Sequence, residues 1–379
     1  MESDFIRVSN RIYIMNESMI SILTKDLESI YEGVNPSWTA FDHSRLFITG
    51  GTGFFGRWLL RSFRYVCDTY GIKMQVVVLT RDPELFRVSE PELYRCDHFT
   101  FIKGDISNFE FPRGHFDYVI HAAADSSNQV LKADPITMCK SIVNGMQRVL
   151  DFASNLPSTR LLFVSSGATY GGAHPDFEKI PEACPGRPID LLDIKKAYTE
   201  TKRMSEMLCT VYGHQKDVRT TIARCFSFIG PGLPLDANYA IGNFIRNVLE
   251  GKKVLVTGSG LEKRSYLYTS DLIVWLLTLL VKGDDGTIVN VGSEEAFSIG
   301  EVAKIVSEVL GGNGVEQSEE AKAVPSGDGY VPSVKLARER YNLQQTVSLE
   351  EGIRRTAAYA GWRDGGCDNR TTFTDFVQE

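Results

Sequence analysis

Tyr198 and Lys202 stand four residues apart in Ala197-Tyr198-Thr199-Glu200-Thr201-Lys202, inside a helical run, and that spacing sets both side chains on one helix face. A free tyrosine titrates near about pH 10, too high for base chemistry at neutral pH. A lysine ammonium beside it, helped by a positively charged ring ligand, stabilises the phenolate and lowers that value. Tyr198 can then take or give the proton of a hydroxyl, and Ser166, in Phe163-Val164-Ser165-Ser166-Gly167-Ala168-Thr169-Tyr170-Gly171, can hydrogen-bond the same oxygen. A tyrosine and a lysine at this spacing are common on exposed helices. The glycine turn that precedes them gives the pair its chemical meaning.

That turn lies in Leu46-Phe47-Ile48-Thr49-Gly50-Gly51-Thr52-Gly53-Phe54-Phe55-Gly56, where a buried strand runs into glycines and then a helix. Gly50, Gly53 and Gly56 allow the tight turn, the approach of backbone N–H groups to a pyrophosphate, and close packing of helix on strand. No lysine and Ser/Thr pair follows, which argues against a triphosphate loop, and Tyr198 with Lys202 points instead to a nicotinamide dinucleotide. Lys202 can also hold its ribose. At the tip of the second strand an acid would bind the free 2′-hydroxyl of NAD, whereas an arginine suits the 2′-phosphate of NADP. The tip is Thr80-Arg81, which favours NADP, while Asp82 keeps NAD open if it turns inward. Asp105 follows the third strand where an adenine amine can sit. His121-Ala122-Ala123-Ala124 follows the fourth, its small residues leaving room for the cofactor to cross the sheet edge.

The elements that must position these groups alternate short apolar runs with longer amphipathic ones, the pattern of a doubly wound parallel sheet. Strands are predicted at Leu46–Thr49, Gln75–Thr80, Thr100–Lys103, Tyr118–Ala122, Arg160–Ser165, Thr220–Arg224 and Thr287–Val291. The helix Arg57–Thr69 carries Leu59, Leu60, Phe63 and Val66 on one face. The fold class is α/β, a Rossmann-type doubly wound sheet with a smaller C-terminal α/β part. Residues 1–43 read as a helical extension, 44–225 as the dinucleotide-binding domain, and 226–379 mainly as the substrate domain, with strand 287–291 returning to the sheet.

Further along, Ile241, Phe244 and Ile245, preceded by Asn238, open an amphipathic helix whose apolar positions suit either a pocket or a core. Asp271 is expected to cap the helix Leu272–Val281, and Ser298 with Glu301 forms a capping-box pattern before Val302–Leu310. Residues 311–328 read as a mobile surface segment, and the tail after Trp362 as frayed.

Composition narrows the class. The 379 residues hold ample apolar content for a core, and a net charge of −7 without basic runs argues against nucleic acid. No segment approaches the about 18 apolar residues of a membrane span, and the acidic start lacks a secretory layout, so the expectation is a cytoplasmic protein. Seven scattered cysteines without C-x-x-C pairs argue for free thiols, and the six histidines have no metal-ligand spacing.

Taken together, TGGTGFFG, the HAAA turn, SSGATYG, YTETK, RCFSFIGPG and RSYLYTSD resemble the extended short-chain dehydrogenase/reductase family, in its nucleotide-sugar epimerase/dehydratase branch, from residue 45 to 360. The resemblance implies bound NAD(P), a nucleoside-diphosphate sugar as substrate, and a homodimer. It implies a cofactor site of Gly50, Gly53, Phe54, Phe55, Gly56, Thr80, Arg81, Asp105, Ile106, Ala122, Ala123, Ala124, Tyr198 and Lys202. It further implies catalysis by Ser166, Tyr198 and Lys202, with substrate contacts from Ser126, Ser166, Gly167, Asn243, Arg264 as the diphosphate-gripping arginine, and Tyr330; Arg338 lies where relatives also reach back to the substrate. The family's dehydratases carry an Asp-Glu pair directly after the catalytic Ser or Thr, and its decarboxylases of nucleotide-linked glucuronate carry a Glu nearby. Gly167 and Ala168 stand there in this chain, which disfavours both reactions. Epimerisation by transient oxidation at C4 ranks first and reduction of a 4-keto sugar second, ahead of 4,6-dehydration. A non-catalytic NAD(P)-binding regulator is the reading from a different class, and the Ser166/Tyr198/Lys202 set opposes it.

Overall fold

The computed structural model describes residues 17–123, 134–172, 176–237, 239–318 and 329–363. Within them the seven apolar runs form β1 (Ser44–Thr49), β2 (Met74–Thr80), β3 (Phe99–Lys103), β4 (Tyr118–His121), β5 (Arg160–Ser166), β6 (Arg219–Cys225) and β11 (Ile288–Val291). They pair in parallel in the order β11-β6-β5-β4-β1-β2-β3. The order reverses between β1 and β4, and ligands of such sheets bind in the crevice at that reversal. Leu46, Phe47 and Ile48 are fully buried, because a parallel sheet covered on both faces demands continuous apolar runs rather than alternation.

Helices cover both faces. In chain order they are α1 (Glu17–Val34), α2 (Phe54–Tyr70), α3 (Pro83–Ser89), α4 (Pro91–Tyr94), α5 (Pro135–Ser154), α6 (Ala197–Lys216), α7 (Ala240–Leu249), α8 (Thr269–Lys282), α9 (Ile299–Val309), α10 (Lys335–Tyr341) and α11 (Leu349–Tyr359). On one face Trp58, Leu59, Leu60 and Phe63 of α2 meet Leu272, Ile273 and Leu276 of α8. On the other, Met146, Val149 and Leu150 of α5 and Cys209 of α6 pack on Phe47, Val77 and Phe163. Each such buried side chain is worth about 1.5–3 kcal/mol of transfer free energy, so the sheet is the stable base of the site.

Helix α1 packs against α8, α2 and α11. Its Asp26, fully buried, accepts from the Tyr268 hydroxyl and from Arg355, each at 2.6 Å. The remaining short strands pair locally: β7 (Phe228–Ile229) with β10 (Leu267–Tyr268), β8 (Val254–Val256) with β13 (Val315–Gln317), and β9 (Lys263–Arg264) between β12 (Phe297–Ser298) and β14 (Gly329–Tyr330).

Several sequence expectations change here. Ile241 and Ile245 fill a second core with Phe244, Val302, Val306 and Ile353, so their apolar face serves packing and not a pocket. Asp271 lies inside the first turn of α8 and accepts from the Thr346 hydroxyl and the Thr346 and Val347 N–H groups; it holds a distant loop, and the cap position belongs to Tyr268. Val315–Gln317 pairs with β8 and is a strand within the segment expected to be mobile. The Ser298/Glu301 capping box forms as expected. Ala124, Ser126, Asn238 and the tail beyond 363 lie outside the described residues. Among the described residues six cysteines are free thiols, and no helix is long and apolar enough to cross a membrane.

Candidate active site

The glycine turn sits at the β1/β4 reversal. Gly50 has φ +74°, and a Cβ on it would lie 2.5 Å from the backbone of Ala122 and Ala123. A Cβ on Gly56 would lie 2.4 Å from the Gly50 carbonyl, so both positions exclude side chains. Gly53 is the N-cap of α2 and supplies no side-chain acceptor, so the first-turn N–H groups have no capping side chain while their dipole points at the turn. This cradle fits a pyrophosphate. Phe54 and Phe55 contribute backbone N–H groups here; their rings pack into the core, Phe55 edge-on to Phe228 at 5.0 Å. Beside the turn, the Thr49 hydroxyl meets His121 Nδ1 at 2.7 Å and joins the tips of β1 and β4. Burial and the nearby Lys202 push the His121 pKa down to about 3, so the imidazole is neutral.

At the ribose end, Thr80 is buried and Arg81 exposed. Asp82 does not turn inward: its carboxylate caps α3, accepting from the Leu85 N–H at 3.0 Å. Asp105 is exposed and its carboxylate accepts from the Ser107 N–H at 2.9 Å, while Ile106 packs where a Cβ on Gly145 would stand, 2.9 Å away. Ala122 and Ala123 are half-buried beside the glycine turn.

Ser166 ends β5 and caps the single 3-10 turn Gly167–Tyr170, its hydroxyl accepting from the Ala168 N–H at 3.1 Å. Tyr198 and Lys202 project from the first turns of α6. The Ser166 hydroxyl faces the phenols of both Tyr198 and Tyr330 and favours the ionised form of each. Lys202, 2 % exposed, donates to the Val164 carbonyl at 3.1 Å and lies 4.9 Å over the Phe163 ring and 6.0 Å from the Tyr198 ring. Burial lowers its pKa to about 8. Among the protein's own groups, burial pushes Tyr198 up to about 12, and the Ser166 hydroxyl opposes this. At 6.0 Å from the ring, the buried ammonium does not offset the loss of water around the phenol.

Tyr330 comes to the site from β14, whose pairing sets it opposite Arg264 of β9. The Arg264 guanidinium lies 5.6 Å over the Tyr330 ring and donates to the Lys263 carbonyl. Tyr330 packs against Phe226 with ring centroids 4.7 Å apart and the rings tilted by 36°, and the two fill the space beside Gly167, where a Cβ would stand 2.6 Å from the Tyr330 hydroxyl and 2.8 Å from the Phe226 ring. Asn243 is half-buried on the first turn of α7, next to Tyr239, whose phenol is an electrostatic neighbour of Tyr198. Arg338 pairs with Glu294 at 3.2 Å on α10. Sequence reasoning passed over Phe226, Tyr239, Cys225 and Glu206; for Glu206 a signal existed, since it repeats the four-residue step from Tyr198 to Lys202.

Comparison with known proteins shows the family and the fold. The chain is 27% identical over 320 residues, 84% of its length and 72% of the relative's, to UDP-glucuronic acid decarboxylase 1 of Xenopus tropicalis. Its fold superposes on dTDP-glucose 4,6-dehydratase from Bacillus anthracis in complex with NAD, with a TM-score of 0.70 at 20% identity, covering 84% of this chain and 96% of that one. A tyrosine-to-phenylalanine mutant of UDP-glucuronic acid 4-epimerase from Bacillus cereus, in complex with NAD and a 4-deoxy-4-fluoro substrate analogue, gives a TM-score of 0.70 at 23% identity, covering 83% and 98%. Residues 46–292 match the sequence model of the NAD dependent epimerase/dehydratase family, and the chain belongs to that family.

Proposed function

We propose that the protein is an NAD(P)-dependent nucleoside-diphosphate-sugar epimerase that works by transient oxidation at sugar C4. The observation that carries this reading is the Ser166, Tyr198 and Lys202 cluster at the end of β5, one strand from the switch point, with the neighbouring Gly167 position closed by Tyr330 and Phe226. When bound in the glycine cradle, NAD(P) supplies a hydride acceptor and donor and the positive charge that a Tyr198 phenolate needs. The chain's own residues do the rest. Tyr198 takes the C4 hydroxyl proton and later returns it, Ser166 holds that oxygen in line, Lys202 holds the ribose and adds its charge, and Arg264 grips the diphosphate. Elimination of water needs a further acid and base, and a carboxylate at position 167 has no room beside Tyr330. UDP-glucuronic acid, for which the decarboxylase and 4-epimerase relatives are named, is the first compound to offer.

A 4-keto sugar reductase is the second reading, favoured by the ribose end. Thr80 and Arg81 stand where NAD enzymes carry an acid, and Asp82 is committed to capping α3, so we propose a preference for NADP. The exposed Met204, Met207 and Val211 stripe on α6 supports a homodimer through that helix.

The test is incubation with UDP-glucuronic acid and a panel of UDP-, dTDP-, GDP- and CDP-sugars, with and without NADPH, and products read by NMR. A C4 epimer without net cofactor consumption is expected. Stoichiometric NADPH loss on a 4-keto sugar would replace the epimerase by the reductase, and release of carbon dioxide would replace both by a decarboxylase.

A further inference from the structure

A buried charged network lies under the catalytic helix, and the reaction just described does not use it. Glu206 follows Lys202 by four residues on α6, so Tyr198, Lys202 and Glu206 descend one helix face in successive turns. Glu206 is 6 % exposed. It accepts from the Ser165 hydroxyl at 2.6 Å and from Arg224 through Nε at 3.1 Å and Nη2 at 2.6 Å. Arg224 is locked in turn. Its guanidinium lies 4.5 Å over the Tyr170 ring, the Tyr170 hydroxyl donates to Asn290 Oδ1 at 2.8 Å, and Asn290 Nδ2 donates to the Ile180 and Ser333 carbonyls. The pair cannot swing toward solvent without breaking these bonds.

Holding a helix on a sheet does not require charge: an apolar pair of the same volume does so without the desolvation cost, which is several kcal/mol per ion. What the charge can serve is the lysine one turn above. The groups facing Lys202 are the neutral His121 on β4, the Val164 carbonyl and Phe163 ring on β5, Cys225 on β6, and Tyr198, Cys209 and Glu206 on its own helix. Among these described groups Glu206 is the only carboxylate.

We propose that Glu206 is a positioning residue whose buried carboxylate, clamped by Arg224 and Ser165, is the resident counter-charge that keeps Lys202 protonated in the closed pocket. The proposal rests on Lys202 as the charged partner of Tyr198. Its test reads the lysine itself, so it stands or falls independently of the substrate.

The full-length protein is produced with 13C at lysine Cε, the Lys202 resonance is assigned from its loss in Lys202→Arg, and its shift is followed with pH. Glu206→Gln is expected to lower the Lys202 midpoint by about one pH unit or more. Glu206→Asp, shorter but still charged, is expected to keep the midpoint near that of the wild type, although it disturbs packing more than Gln does. An unchanged midpoint in Glu206→Gln overturns the proposal, as does a fall in Glu206→Asp as large as that in Gln. Should Glu206→Gln fail to fold, the double variant Glu206→Met/Arg224→Met is compared with Arg224→Met alone, so that loss of the Arg224 cation is common to both; the Lys202 midpoint must be lower in the double variant, and equal midpoints overturn the proposal.

Discussion

Two buried arginine–carboxylate pairs brace this molecule, and they have the same bond length and opposite surroundings. Arg355 meets Asp26 at 2.6 Å, joining residues 329 apart in sequence, α11 to α1, with the Tyr268 hydroxyl as a third partner. Arg224 meets Glu206 at 2.6 Å, joining residues 18 apart on neighbouring β6 and α6, one helical turn below Lys202. The first closes the fold around its N-terminal helix through elements that carry none of Ser166, Tyr198 and Lys202. The second stands beneath a buried ammonium. The same chemistry therefore serves integrity in one place and, on the proposal above, the charge of the site in the other; what separates the two is the company each pair keeps.

The comparison breaks if activity and stability do not separate between the two regions. Tyr198→Phe removes the proton-transfer group and is expected to lower turnover by about 10²–10⁴-fold while leaving the thermal midpoint unchanged, measured by product NMR and scanning calorimetry. Asp26→Ala leaves the buried Arg355 with Glu351 as its remaining acidic partner and the Tyr268 hydroxyl without its acceptor, and is expected to cost about 3 kcal/mol in urea unfolding, the low end for a broken buried pair, with turnover per folded molecule unchanged. A loss of activity without loss of stability in Asp26→Ala would place α1 at the site.

Two smaller effects sharpen the comparison. Gly167→Ala forces a methyl group against Tyr330 and Phe226 and is expected to cost about 1–3 kcal/mol, part of it recovered in Gly167→Ala/Tyr330→Phe, where the hydroxyl that blocks the methyl is gone. The least change is expected from pH. Burial raises the Asp26 pKa above its usual 3.8. A raised carboxyl contributes stability that is full below the unfolded value and is lost as pH rises through the folded one. The wild type should therefore lose stability relative to Asp26→Asn as pH climbs from about 4, seen as converging denaturation midpoints. On the activity side the sign is set by Lys202, whose ammonium is lost as pH rises through about 8, so turnover should fall on that alkaline limb.

Much of the frame was readable because it is local. Seven apolar runs, the Gly50–Gly56 spacing and the Ser298/Glu301 box each specify their own backbone through neighbours a few residues away, and the strands end within a residue or two of where the runs do. The Tyr198/Lys202 pair was legible for the same reason, as a helical spacing. The sequence left the outcome open where two local uses competed, and was silent where a side chain's partner lay far along the chain. Asp82 had a ribose and a helix cap within reach, and took the cap. Ile241 and Ile245 had a pocket and a core, and burial against Val302 and Val306 decided for the core.

By itself, then, the amino-acid order determined the strands, the phosphate cradle and the tyrosine–lysine face, since backbone conformation and helical periodicity are short-range. Only the tertiary structure decided that Tyr330 closes the space beside Gly167, that Asp26 fastens α1 to Arg355 and Tyr268, and that Ser165 and Arg224 clamp Glu206 under Lys202. These depend on which distant segments share one desolvated space. Burial there moves each pKa and selects each partner, and no local pattern records it.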